Sequence, residues 1–486
     1  MKKIVFYLAA LLLILSENAF SQEMLANMYL SSPIQKTMIR NHASWGHISY
    51  VETSTEHIFV LTYSSMDNKY VVPIPINYFV NDIEIYEDKV FFCGYNSATP
   101  RRALLGYFRI DSLCILGGNI FVYDNFTYSP PTTRLKEFSE LEVFDEYENT
   151  RLAGDSVSIV LVGVNANNRS VIVEATGAYN SPNTWRYALG TNPVTGLNEK
   201  VEQISVTDNY IVSGGTIHDK VSGVCFRIFN RHGLYDMFAA STLYNDAYWY
   251  PTINPQTNNT TQYPLQTFQM TAMPNDRVAT ASLYKKYSSG YQPQNLGGFL
   301  LNVYSIPQTI NTPNTTCLYS IFDAPVNGIS STGTAHVKDL RYDNTTNKFF
   351  ALLKTDLVNA TPYFNECVCT VIPYPQIVPY SFPYYYITSA NFDRVVLCNS
   401  GTQCLFSGSA SLINTVAYYK NSTTPLARCC TMGVRQFTAP EEFRSKSHNY
   451  PLSVYRNTFN YTSFNPTCTL YNMSINCTSK NEDIEK

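Results

Sequence analysis

Charge is scarce in this sequence. Only 15% of its 486 residues are Asp, Glu, Lys or Arg, and the formal net charge is −3. No basic run exists. The richest stretches, RRALLGYFR from Arg101 and FNRHG from Phe229, are isolated. A nucleic-acid partner needs a basic field to neutralise phosphates, so none is expected. A basic amphipathic helix for a membrane surface is missing as well.

The common catalytic signatures are also missing. There is no H-E-x-x-H helix for a zinc protease and no G-x-S-x-G elbow. A Walker loop, a Rossmann fingerprint and an EF-hand are equally absent. GISSTG from Gly328 misses the elbow spacing and reads as a loop. The seven histidines are scattered; His42 and His47 flank Trp45 and read as surface residues. Paired C-x₂-C spacings that would suggest zinc are lacking.

Long apolar runs are limited to one. Ile4–Leu15 follows Lys2 and Lys3 and precedes Ala19-Phe20-Ser21, small residues at the positions a signal peptidase reads. Twelve apolar residues fall short of the ~20 that span a bilayer. The expectation is a signal peptide over 1–21, cleaved before Gln22, and no transmembrane segment afterwards. The mature chain is then exported, to the periplasm, the cell surface or the extracellular space, with a net charge of about −4.

Export permits disulfides. Of 12 cysteines, only Cys93, Cys114, Cys225 and Cys317 precede residue 360. Cys398 and Cys404 flank a polar turn and suit a hairpin bridge. Cys468 and Cys477 could staple the tail or pair with Cys429 and Cys430. Connectivity does not follow from spacing.

What the chain has in abundance is aromatic residues, 38 Tyr and 27 Phe, which favour strands. Amphipathic helices of any length are hard to find. NDIEIYEDKVFFCGYN, from Asn81, shows the governing pattern: an alternating strand, a polar corner, then a second apolar strand. Relatives begin at Gly46, Ser139, Glu202, Thr267, Val337 and Tyr385. Aligned on Ile48, Ile83, Leu141, Ile204, Phe268, Leu340 and Ile387 they recur about every 56 residues, and each is followed by a third strand. A small antiparallel sheet cannot bury both its faces alone. Radially packed sheets bury one another, and ring closure protects edges.

This recurrence resembles a β-propeller over residues 45–420, all-β, with about seven blades, six or eight being the neighbouring counts. The leader and composition look like those of exported propeller proteins of Bacteroidota-type Gram-negative bacteria. WD dipeptides and the repeated sialidase turns are absent. Residues 22–44 are an N-terminal segment able to complete the last blade. Residues 421–486 form a Cys-containing extension or serve blade closure.

Candidate sites are few. The stretch LYNDAYWYPTINPQTNNTTQYP, from Leu243, reads as a long loop bearing Tyr244, Tyr248, Trp249 and Tyr250. Aromatic faces with polar tips suit sugar rings or protein partners. The acidic group Glu137, Glu140, Glu142, Asp145, Glu146 and Glu148 invites Ca²⁺, the single cofactor considered, against a solvated outer strand and corner. Cys93 lacks the cations or helix terminus that activate a thiol and reads as scaffold, buried or bridged to Cys114. The expected function is non-catalytic binding of a protein or glycan at the cell envelope or outside the cell. The alternatives are a propeller hydrolase or lyase acting on a glycan or lactone, and a structural subunit of a surface assembly.

Overall fold

A computed structural model describes residues 23–42, 46–63, 69–114, 116–128, 133–145, 157–177, 183–189, 199–218, 222–230, 242–249, 265–287, 293–306, 316–323, 334–356, 365–375, 381–387, 391–398, 403–409, 415–422, 431–437, 443–450 and 455–471. The protein is all-β, arranged as successive antiparallel units. After β1 (Glu23–Tyr29), the first unit holds β2 (Ile34–His42), β3 (Gly46–Thr53), β4 (His57–Tyr63) and β5 (Lys69–Ile74). The second holds β6 (Tyr78–Tyr86), β7 (Lys89–Asn96), β8 (Arg102–Arg109) and β9 (Ile120–Tyr123), with a single helical turn at Ile110–Leu113. The third holds β10 (Thr127–Tyr128), β11 (Thr133–Asp145), β12 (Val157–Asn165), β13 (Ser170–Gly177) and β14 (Asn183–Leu189). The fourth holds β15 (Glu199–Val206), β16 (Tyr210–His218), β17 (Ser222–Asn230) and β18 (Thr242–Trp249).

The fifth unit holds β19 (Leu265–Met273), β20 (Arg277–Tyr287), β21 (Pro293–Ser305) and β22 (Thr316–Asp323). The sixth holds β23 (Thr334–Asp343), β24 (Lys348–Asp356), β25 (Asn365–Pro373) and β26 (Ser381–Ile387). The seventh holds β27 (Asn391–Cys398), β28 (Gln403–Ser409) and β29 (Thr415–Ser422), and its fourth strand is β1.

Five more strands come from the C-terminal segment: β30 (Thr431–Phe437), β31 (Phe443–Tyr450), β32 (Tyr455–Phe459), β33 (Thr462–Phe464) and β34 (Thr469–Tyr471). They travel backwards over the units. β30 joins β22 to β26, so the fifth and sixth units form one nine-stranded sheet. β31 pairs with β18, β32 with β14, β33 with β9 and β34 with β5. Each therefore occupies an edge whose N–H and C=O groups would otherwise lack strand partners. The C-terminal segment thus extends six earlier units as well as carrying cysteines.

Sequence explains why the sheets stack. β12 reads VSIVLVGVN, a nearly continuous apolar run, and its two faces serve different cores. Val157, Ile159 and Leu161 pack toward the second unit with Phe91, Cys93 and Leu105. Val160 and Val162 pack toward the fourth with Ile204 and Ile211. A strand buried on both faces has no polar face to alternate with. Met38, Tyr50 and Phe59 meet Ile83, Phe92 and Phe108 between the first and second units, and Val303 and Leu301 meet Leu340 and Phe349 between the fifth and sixth.

Five of the seven aligned positions lie on the first long strand of their unit, β10 being only two residues. Ile48 lies on β3 and Ile387 on β26. The same strand–corner–strand pattern marks every hairpin, so periodicity alone does not separate one hairpin of a unit from the next.

The first strands share a bulge. Register shifts fall between Val80 and Asp82, Phe138 and Glu140, Val201 and Gln203, and Val337 and Asp339. Beside two of these bulges a backbone carbonyl lies close to a glycine of the partner strand. A Cβ placed on Gly94 would stand 1.9 Å from Phe79 O, and one on Gly163 would stand 2.1 Å from Glu137 O. Gly94→Ala is expected to destabilise the chain by about 1–3 kcal/mol through this overlap. Urea unfolding checks it; an unshifted midpoint would show that the bulge relaxes freely.

Candidate functional site

The bulges place polar residues where neighbouring units meet. In β6 the doublet Asn81-Asp82 interrupts the alternation. Asp82, 1% exposed, accepts from Arg40 Nη2 at 2.9 Å and from the backbone N–H of Leu141 at 3.2 Å. Arg40 Nε also donates to Glu84 Oε2 at 3.2 Å. One unit on, Glu140 accepts from the N–H of Ile204 at 2.8 Å. Asp82 and Glu140 thus do the same work: each carboxylate ties its unit to the backbone of the next. Lys36 donates to Val80 O at 2.9 Å, and Asn81 donates to Phe138 O at 2.7 Å, repeating the link one step along.

Glu142 stands apart from this bonding. Half-buried on β11, its carboxyl is pushed up to about 8, chiefly by burial and then by the negative charge of Glu84 and Asp82; Arg341 and Arg40 pull the other way without prevailing. Arg341 belongs to β23, where its Nε lies 3.3 Å from Asp339 Oδ2. Charges from the first, second and sixth units therefore act on one carboxyl of the third. Between its usual 4.5 and about 8 the folded chain holds a proton that the unfolded chain has released. Stability accordingly falls as pH rises through that window and levels off above it. Glu142→Gln should flatten this dependence and exceed the parent above pH ~8 by about 2 kcal/mol, allowing for partial solvent access. Denaturant midpoints across pH 5–9 (roughly that window) check it; parallel parent and variant curves would sink it.

His47 has the opposite sense. Burial, then the charge of Lys69, lowers it to about 3 from 6.5. Its contribution is complete above pH 6.5 and is lost as pH falls toward 3. At 1% exposure His47 is a core residue and not a surface one.

A second feature is an open cleft of about 550 Å³ at the second and third units, lined by Pro100, Arg101, Thr127, Thr133, Arg134, Lys136, Ala166 and Asn167. Arg134 and Lys136 flank Leu135 on β11. Leu135 turns into the core, 1% exposed, and the two cations lie to either side of it in the chain. Lys136 is the extra residue of a bulge between Leu135 and Glu137, and its Nζ donates to Asn168 Oδ1 at 3.1 Å. Arg101 sits over the Tyr95 ring, 3.2 Å from its centroid, and pairs with Glu137 at 2.7 Å. Tyr95 in turn stacks on Phe79 at 4.7 Å. Arg134 has no carboxylate partner among the described residues, and its Nε is buried without an acceptor.

No family model and no curated protein matches this chain. Among solved structures, the crystal structure of polysaccharide lyase Uly1 aligns with 70% of this chain and 89% of its own, at 8% identity and a TM-score of 0.28. A likeness at that level carries no argument about fold or activity.

The aromatic candidates fall elsewhere than expected. Tyr244, Tyr248 and Trp249 lie on β18 and not in a loop, since Leu243 to Tyr248 pairs with β17 on one side and Thr242 to Trp249 with β31 on the other. The returning C-terminal strand makes an interior strand of what reads locally as irregular. Tyr250 lies outside the described residues.

Cys468 bonds to Cys114, with Cα atoms 5.4 Å apart. That pairing excludes a Cys93–Cys114 bridge and a bond from Cys468 to Cys429, Cys430 or Cys477, the last three being outside the described residues. In the β27–β28 hairpin Cys398 stands opposite Gln403, and Cys404 stands opposite Leu397. Cys93, 0% exposed, belongs to the core between the second and third units.

The acidic group divides. Glu137 pairs with Arg101, Glu140 is buried, and β11 lies between β6 and β15 and not on an outer edge. Asp145 ends β11, and Glu146 and Glu148 lie outside the described residues. Among the described residues, no three His, Cys, Asp or Glu are placed to hold a metal ion, and no helix is long and apolar enough to cross a membrane.

Residue-type reasoning missed Arg40, Asp82, Glu84, Asp339 and Arg341. A signal for some of them was present. Asn81-Asp82, Ser139-Glu140, Glu202-Gln203 and Lys338-Asp339 each put two polar residues before the aligned apolar one. Such a doublet breaks period two where a bulge falls.

Proposed function

We propose that the seven units are blades of a closed β-propeller, and that the protein is exported and binds a protein or glycan at the cell envelope or outside the cell. The order of first strands supports the architecture. β2 neighbours β6, and the succession continues through β11, β15, β19 and β23 to β27, which lies beside β2 again. Such a ring leaves the cleft on a rigid frame, where binding loops and strand ends keep their geometry. The observation that carries binding is that open cleft, with cations and polar side chains presented outward and the apolar residues turned into the core.

A glycan array alongside identification of envelope proteins captured by the mature chain tests this reading. Saturable binding to a defined glycan or a single protein supports it; binding to neither overturns it. A second reading, a glycan or lactone hydrolase or lyase, is favoured by Glu142 alone. A carboxyl near pH 8 beside Glu84 suits proton transfer at neutral pH. Turnover that disappears in Glu142→Gln, with binding retained, would favour it over simple binding.

A further inference from the structure

We infer that the cleft at the second and third units binds the sulfate or carboxylate groups of an acidic glycan, with Arg134 and Lys136 as the anion-contacting residues. This rests on the binding reading above and names its ligand class. Arg101 is already committed, since Glu137 balances its charge and Tyr95 supports its plane. Arg134 and Lys136 share the same cleft with no ion-pair partner among the described residues. Arg134 lines the cleft with no carboxylate among the described residues to balance its charge. A sulfate or carboxylate bound there balances it, and the guanidinium offers such groups its planar donor geometry.

The rest of the lining points to sugar and not to peptide. Thr127 and Asn167 offer hydroxyl and amide groups, and only Pro100 and Ala166 are apolar. A protein interface needs an apolar core, whereas sugar hydroxyls match short polar side chains. The volume, about 550 Å³, lies in the range of small-ligand sites. Sulfate and uronate share the anionic chemistry, and the test separates them.

Titrate the mature chain with a sulfated tetrasaccharide, a tetragalacturonate, a neutral cello-oligosaccharide and a poly-glutamate peptide, by calorimetry at low and moderate salt. The acidic sugars should bind and the neutral one should not, with affinity falling as salt rises. The stronger of the two acidic arms identifies the anion. Arg134→Gln with Lys136→Gln should weaken binding about tenfold or more, while Arg134→Lys retains part of it. Thermal unfolding confirms that the variants fold; should the double variant not fold, the Arg134→Lys series with its salt dependence decides.

Equal binding of the neutral sugar, unchanged affinity in the variants, or preference for the acidic peptide overturns the inference. If no sugar binds but a defined envelope protein does, the inference fails and the binding reading stands. If neither binds, both fail.

Discussion

Cys468→Ser is expected to lower the stability of the folded chain by about 5 kcal/mol in the chain-entropy picture, the largest effect of any single substitution considered. The bond joins residues separated by 354 positions, so its loss frees a very long loop in the unfolded chain. It also anchors the C-terminal segment between β33 and β34. Those strands are short, three residues each, and alone could not hold their edges. Phe459 and Tyr461 add to the anchor: Phe459 is 4% exposed in the core between the second and third units, and burial beside Tyr107 pushes the Tyr461 hydroxyl well above its usual range. Cys114→Ser, and mild reduction of the parent, should match the single variant. Thermal unfolding gives the magnitude, and hydrogen exchange should locate the loosening at β32, β33 and β34 together with the edges they cover. An unchanged midpoint would show that strand pairing alone retains the segment.

Asp82→Ala is expected to cost about 3–5 kcal/mol, because it leaves the Arg40 guanidinium buried with part of its acceptor set removed. Arg40 is 7% exposed, and Glu84 is its remaining carboxylate. The same substitution orphans the Leu141 N–H in the next unit, so it weakens two unit boundaries at once. Asp82→Asn keeps the shape and should cost less. Arg40→Met with Asp82→Ala removes both charges and should be less harmful than the sum of the two single changes. Denaturant unfolding of all four variants closes that cycle. Additive effects would mean that the pair is not coupled.

The stretch from Asn81 to Asn96 shows how far local pattern reaches. Strands, corner and following strand around NDIEIYEDKVFFCGYN appear as β6, β7 and β8, because alternation of side chains is a property of neighbours in the chain. The burial of Cys93 follows from the same pattern. The partner of Asp82 does not: Arg40 is 42 residues earlier, and nothing in either segment names the other. The cleft is similar. Arg134 and Lys136 are ordinary cations in a strand of mixed charge, and they become a pair in a cleft because Leu135 between them faces the core.

By itself, then, the chain's sequence determined that it is all-β, built from repeated antiparallel units, and low in charge. Those properties come from composition and period two, which act within a few residues. Tertiary structure alone decided that Cys114 meets Cys468, that a buried acid of one unit reaches the backbone of the next, and that the C-terminal strands run backwards over six earlier edges. Backbone hydrogen bonds carry no sequence label, so any strand of fitting alternation can add to any open edge. Which edge it takes depends on where the chain can reach and what fills the core behind it.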